Sequence, residues 1–122
     1  MARILIIEDD EPLRALLKHM LEAAGHTVTQ AETSRAVLQI LRQAPPDVVL
    51  TDIIMPDLDG LELIMMIRKE MPKMPVIAMS GAMTNASLYL RLAKKLGARR
   101  TLQKPFVPEQ LFAAVREVLG RV

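Results

Sequence analysis

The 122 residues predict an α/β fold, a single doubly wound sheet of five parallel strands with five helices packed on its two faces. Three observations carry this expectation. Short apolar runs rich in branched side chains alternate with longer stretches of helical spacing along the whole chain, the pattern of a parallel sheet with crossover helices. The first, third and fourth runs (residues 4–7, 48–50 and 76–79) are nearly all apolar, as strands covered on both faces must be. No Gly/Ser-rich or charged linker breaks the alternation, so the expectation is one domain over residues 1–122 with no output domain. That length lies within the usual range for one domain, about 100–150 residues. Periodicity does not order the strands and leaves the common doubly wound arrangements open.

The elements follow in order. After the first run, Leu13, Leu16, Leu17, Met20, Leu21 and Ala24 keep the i, i+3, i+4, i+7 spacing of one buried helix face;. Pro12 opens this helix where a missing N–H costs nothing, and Gly25 closes it. A weaker strand covers 27–31. The second helix runs from Thr33, an N-cap residue type, to Gln43 and stops before Pro45-Pro46;. A third helix begins near Asp59-Gly60 and ends before Pro72. The fourth runs from about Asn85 to Leu96 with Gly97 as its stop, and the weakest strand, 101–103, leads to a fifth helix from Pro108 to Leu119.

Composition narrows the function classes. There is no cysteine, which excludes disulfides, thiolate catalysis and thiolate metal sites;. With 16 basic and 14 acidic side chains the net charge is +2, too even a balance for this domain alone to bind nucleic acid. The N-terminal apolar run is four residues long and ends in acid, unlike a signal peptide;. No apolar stretch approaches the roughly 20 residues that span a bilayer, so the expectation is no membrane association and a cytoplasmic location. Aromatics are limited to Tyr89, Phe106 and Phe112, and the nine methionines, Met65, Met66 and Met74 among them, read as core filling;.

In open parallel sheets ligands bind beyond the carboxyl ends of the strands, so the residues that follow each run matter most. Glu8, Asp9 and Asp10 follow the first, Asp52 the third, Ser80 the fourth and Lys104 the fifth. The second, ending in Ala31-Glu32, is the exception. A polar residue at one strand end is an ordinary exit to solvent, but acids, a hydroxyl and an ammonium at matching topological positions converge on one edge. Carboxylates held close repel one another and call for a cation. Hard oxygen ligands select Mg²⁺, with Mn²⁺ as a substitute, and Mg²⁺ typically takes one or two carboxylates plus water and phosphate oxygens. A carboxylate beside that ion can attack phosphorus and form an acyl phosphate. Lys104 and the Ser80 hydroxyl would then stabilise the charge on the equatorial oxygens. The spacing therefore suits phosphoryl transfer to Asp52.

Three segments carry a resemblance: Ile4-Leu5-Ile6-Ile7-Glu8-Asp9-Asp10-Glu11-Pro12, then Asp52-Ile53-Ile54-Met55-Pro56-Asp57-Leu58-Asp59-Gly60, then Lys104-Pro105-Phe106. In this order they resemble the signature stretches of response-regulator receiver domains of two-component signalling, chemotaxis receivers included, over about residues 2–120. The resemblance implies a flavodoxin-like sheet in the order 2-1-3-4-5. It implies Asp52 as phosphoacceptor and Asp9 as a direct Mg²⁺ ligand. Glu8 would act more through water, and Asp10 would lie outside direct coordination. The Ile54 backbone carbonyl would complete the protein's share of the metal site. Ser80 would be the switch hydroxyl, Lys104 the phosphoryl contact and Lys104-Pro105 a cis bond, a form tolerated before proline. A sensor histidine kinase or histidine phosphotransfer protein would supply the phosphoryl group in a phosphorelay. The domain would assist its own phosphorylation and dephosphorylation without being an enzyme in the ordinary sense.

The sequence departs from the family pattern at Thr101, three residues before Lys104, where many receivers carry an aromatic switch residue. Ile54 and Ala82, each two residues past a site residue, offer no group to activate water, so intrinsic dephosphorylation should be slow. The fourth helix carries Leu88, Tyr89, Leu90, Leu92, Ala93 and Leu96. They read either as a well-buried helix or as an apolar patch for a homodimer or effector, with Tyr89 and Leu90 as its test positions. A haloacid-dehalogenase-type enzyme would need a second acid where Ile54 stands, and an FMN module would need a phosphate loop where Glu8, Asp9 and Asp10 stand. The remaining alternative is an adaptor of receiver fold that binds partners regardless of phosphorylation.

Overall fold

The computed structural model describes residues 1–55, 58–81 and 85–120. Its elements are β1 (Arg3–Ile7), α1 (Glu11–Ala23), β2 (Thr27–Gln30), α2 (Ser34–Gln43), β3 (Val48–Asp52), β4 (Ile54–Met55), β5 (Leu58–Asp59), α3 (Gly60–Glu70), β6 (Val76–Ser80), α4 (Ala86–Leu96), β7 (Arg100–Gln103) and α5 (Pro108–Val118). The main sheet is parallel throughout, in the order β2-β1-β3-β6-β7. β4 and β5 form a separate antiparallel ribbon, so the five sheet strands lie in the expected order 2-1-3-4-5. The ribbon was not expected, because two-residue strands leave no periodicity to read.

Side chains along a strand alternate between the two faces, and the core divides accordingly. Leu5, Ile7, Val49, Val76 and Ala78 point to the face packed by α2, α3 and α4 through Val37, Leu41, Leu63, Ile64, Ile67, Leu90 and Ala93. Ile4, Ile6, Val48, Leu50, Ile77 and Met79 meet α1 and α5 through Leu17, Leu21, Leu111, Ala114, Val115 and Val118. Full burial of each such side chain stabilises by roughly 1.5–3 kcal/mol, so both layers hold the sheet. β3 is buried along its whole length at the centre, and Asp52 is its last residue.

The caps match the sequence types. Thr33 Oγ1 accepts from Ala36 N–H at 3.0 Å, Asp59 caps α3 by accepting from Leu61 and Glu62 N–H, and Gly97 ends α4 at φ 125°. Three expectations need correction. Leu16 is 53 % exposed, because α1 turns a stripe of Leu17 and Leu21, flanked by Leu13 and Met20, to the core that is narrower than its apolar residues. On α4, Leu90 faces the core and is only 8 % exposed, while Leu88 and Leu92 remain open at 45 % and 38 %. The apolar patch on α4 is thus carried by Leu88 and Leu92, with Tyr89 half-buried against the core. Of the methionines expected inside, Met74 is buried and Met66 packs against the core, but Met65 is 52 % exposed.

Candidate phosphoryl-acceptor site

Every strand-end residue singled out in the sequence lies at the carboxyl edge of the sheet. Glu8 follows β1, Asp52 ends β3, Ser80 ends β6 and Lys104 follows β7. Parallel registry puts these ends level: Ile7 pairs with Thr51, Asp52 with Met79 and Ser80 with Gln103. Two backbone bonds knit the edge, from Ile53 N–H to the Met79 carbonyl at 2.9 Å and from Lys104 N–H to the Ser80 carbonyl at 2.8 Å.

Lys104 joins the acids. Its Nζ donates to Glu8 Oε1 at 2.6 Å and to Asp52 Oδ2 at 2.8 Å. Glu8 and Asp52 are almost wholly buried, at 2 % and 5 % exposure. The second oxygen of each is also held: Glu8 Oε2 accepts from Asp10 N–H at 3.1 Å and Asp52 Oδ1 from Ile54 N–H at 3.2 Å. Burial pushes the Glu8 carboxyl above its ordinary value, aided by the Asp52 charge and opposed by the Lys104 and Asp10 hydrogen bonds;. Burial by itself would lower Lys104, but its hydrogen bonds to Asp52 and Glu8 carry it above the ordinary lysine value.

Glu8, Asp9 and Asp52 each bring a carboxylate oxygen to within 4.8 Å of the others. Fully ionised, three carboxylates against one ammonium leave two negative charges uncompensated in a mostly buried setting. That donor set fits a hard divalent cation such as Mg²⁺. Asp9 is exposed, and no hydrogen bond from the described residues holds its carboxylate. Asp10 points elsewhere: it is the N-cap of α1, its Oδ1 accepting from Leu13 N–H at 3.2 Å.

Ser80 is fully buried, and its Oγ has no hydrogen-bond partner among the described residues. A buried hydroxyl without a partner is costly, and here it sits at the strand end beside the acids. The Lys104-Pro105 bond is cis. Thr101 lies half-buried on β7, paired with Ala78, and Ile54 is 37 % exposed on β4. Ala82 lies outside the described residues.

Two contributors were not read from the sequence. Gly60 must lack a side chain, since a Cβ there would lie 2.4 Å from Ile53 Cα and 2.5 Å from the Asp52 carbonyl oxygen. Its N–H donates to the Ile53 carbonyl at 2.8 Å, closing α3 onto the end of β3. The Asp59-Gly60 pair marked a helix start in the sequence, and only the packing reveals the second role. Arg14 reaches back from α1 to the Glu8 carbonyl at 2.8 Å, a contact to backbone that no pairing of residue types announces.

Comparison with known proteins agrees with this architecture. The family profile of the response regulator receiver domain matches residues 4–116. Among curated relatives, response regulator MprA of Mycolicibacterium vanbaalenii is 34 % identical over 98 % of this chain and 51 % of its own. Transcriptional regulatory protein BaeR of Escherichia coli is also 34 % identical, over 98 % and 48 %. The chain thus spans about half the length of these relatives. Among solved structures, the receiver domain of NtrX from Brucella abortus superposes with a TM-score of 0.90 at 29 % identity, covering 98 % of this chain and 99 % of that one. A receiver domain protein from Clostridium thermocellum gives 0.87 at 33 %, over 98 % and 95 %. Fold, edge geometry and sequence kinship lead to one assignment: the chain belongs to the receiver-domain family of two-component response regulators.

Proposed function

We propose that the chain accepts a phosphoryl group on Asp52 from a histidine kinase or histidine phosphotransfer protein and relays a signal through the resulting change. The observation that carries this reading is Lys104 Nζ bridging Glu8 and Asp52, with Asp9 completing a three-acid cluster. Glu8, Asp9, Asp52 and the Ile54 carbonyl would hold Mg²⁺ or Mn²⁺, which supplies charge neutralisation for the incoming phosphoryl oxygens. An Asp52 carboxylate oxygen forms the new O–P bond as the P–N bond to the donor histidine breaks, and the leaving imidazole nitrogen takes its proton from solvent. Lys104 moves its hydrogen bonds onto a phosphoryl oxygen, and the Ser80 hydroxyl, without a partner among the described residues, donates to another. Acceptance is stoichiometric and not catalytic turnover, so the domain serves as a phosphoprotein switch.

The reading extends to the domain's setting. The described residues contain no helix long and apolar enough to cross a membrane, which is compatible with a cytoplasmic partner kinase. Residues 1–122 act as one receiver unit, and the output surface is α4, β7 and α5. There Leu88 and Leu92 form the contact for an effector or a second copy, and Thr101 replaces the aromatic switch. Incubation with Mg²⁺ and a small phosphodonor tests the core of the reading. Intact-mass analysis should show a single phosphoryl adduct, absent in Asp52→Asn and weakened in Lys104→Ala. No adduct with any donor would leave a binding adaptor instead.

A further inference from the structure

Arg14 is a helix residue with an unusual task. Its side chain is 14 % exposed, and the guanidinium donates from Nη1 to the Glu8 backbone carbonyl at 2.8 Å. Long helical side chains lean toward the helix N-terminus, which directs this one over the loop joining β1 to α1. Its other contact, Glu32 at 4.0 Å, involves a carboxylate 77 % exposed and contributes little. The carbonyl bond is therefore what holds the guanidinium in place.

Glu8 is consequently fixed at three acceptors: its carbonyl by Arg14, Oε2 by Asp10 N–H and Oε1 by Lys104. Asp9 is the contrast. No described residue holds its carboxylate, so only the backbone aims it. The peptide plane between Glu8 and Asp9 sets where the Asp9 Cβ begins, and Arg14 holds the carbonyl of that plane.

We propose that Arg14 is the positioning residue of the divalent-metal site, acting through the Glu8 carbonyl to aim Asp9. The inference rests on the reading of Glu8, Asp9 and Asp52 as metal ligands. Positioning and charge have opposite signs here. A cation near the site repels Mg²⁺, so if Arg14 acted only by charge its removal would tighten binding. If it aims Asp9, its removal weakens binding, as loss of groups that orient ligands typically costs 10–100-fold in affinity.

Two measurements on the full chain decide this. Calorimetric titration with MgCl₂ should show Arg14→Ala and Arg14→Gln binding about tenfold or more weakly than the wild type, with partial recovery in Arg14→Lys, which keeps a donor group and the charge. In metal-free protein, the Asp10 N–H should exchange with solvent about tenfold faster in Arg14→Gln, while Leu5 and Leu50 keep their wild-type protection. The glutamine variant carries the test if the alanine variant fails to fold. Affinity equal to or tighter than wild type in either neutral variant overturns the inference, as does unchanged Asp10 exchange. A wild type that takes up no Mg²⁺ overturns the metal-site reading and this inference together. Normal wild-type uptake with unaffected variants overturns the inference alone.

Discussion

Replacing Lys104 by methionine keeps much of the side chain's bulk and removes the cation between two carboxylates that are 2 % and 5 % exposed. Removing one partner of a buried pair costs about 3–5 kcal/mol, because the other charge stays buried without compensation. Lys104 keeps 17 % of its side chain exposed, so water screens part of that loss and the expected cost is about 2–4 kcal/mol near pH 7.5. At about 4 °C per kcal/mol for a domain of this size, the metal-free variant should melt roughly 8–16 °C lower. The pH dependence has a definite sign. The Glu8 carboxyl already lies above its ordinary 4.5, and losing the Lys104 hydrogen bond raises it further. A folded-state acid pKa above the unfolded one means the fold binds the proton more tightly. Ionisation of Glu8 then costs nothing below about pH 4.5 and reaches its full cost above the folded pKa. The deficit of the variant should therefore be small near pH 5 and large near pH 7.5. Urea denaturation in EDTA at the two pH values measures it, and saturating Mg²⁺ should restore more stability to the variant than to the wild type. A deficit below about 1 kcal/mol at pH 7.5, or the same deficit at both pH values, would refute the idea that Lys104 is the counter-ion of a strained acid pair.

Gly60→Ala drives a Cβ into Ile53 Cα, so denaturation should show a loss of about 2 kcal/mol or more. Asp10→Ala should cost about 1 kcal/mol through the lost α1 cap while leaving the phosphoryl adduct intact, whereas Asp9→Asn should abolish Mg²⁺ dependence in the same mass assay. Leu88→Glu and Leu92→Glu should change stability by no more than about 0.5 kcal/mol and eliminate any self-association seen by sedimentation; Leu90→Ala should lose about 2 kcal/mol or more because that residue is in the core. The phosphorylated wild type should persist without a phosphatase, and Ile54→Glu, which puts a base beside Asp52, should shorten its lifetime several-fold; a rapid wild-type decay contradicts this.

The sheet and its loaded edge were legible because strand burial forces near-continuous apolar runs, and the residues ending those runs are the ones that converge. Glu8, Asp9, Asp52, Ser80 and Lys104 all land on one edge for that reason. What stayed hidden depends on distance and direction. Asp10 looks like one more acid until its backbone neighbour Leu13 claims it as a cap. Leu16 has the right spacing to be buried, yet the helix contact is narrower than its apolar stripe. Leu90 and Leu92 are equal in sequence and opposite in exposure, since two residues turn a helix by more than half a circle. Arg14 bonds to a carbonyl, a group every residue possesses, so no pattern of side-chain types could have indicated it.

The lysine bridge spans 96 residues to Glu8 and 52 to Asp52, and this has a consequence for how the protein is made. A chain that has emerged only as far as β6 already holds Glu8, Asp9 and Asp52 but lacks Lys104, their ammonium. Its half-built edge carries repulsion with nothing to offset it. Only when β7 docks beside β6, through contacts such as Lys104 N–H to the Ser80 carbonyl, does the charge balance close. The residue that follows the last strand laid down therefore supplies the ammonium that offsets the Glu8 and Asp52 charges. On the proposed reading, a copy that stops short of β7 would lack Lys104 and, with it, the phosphoryl contact.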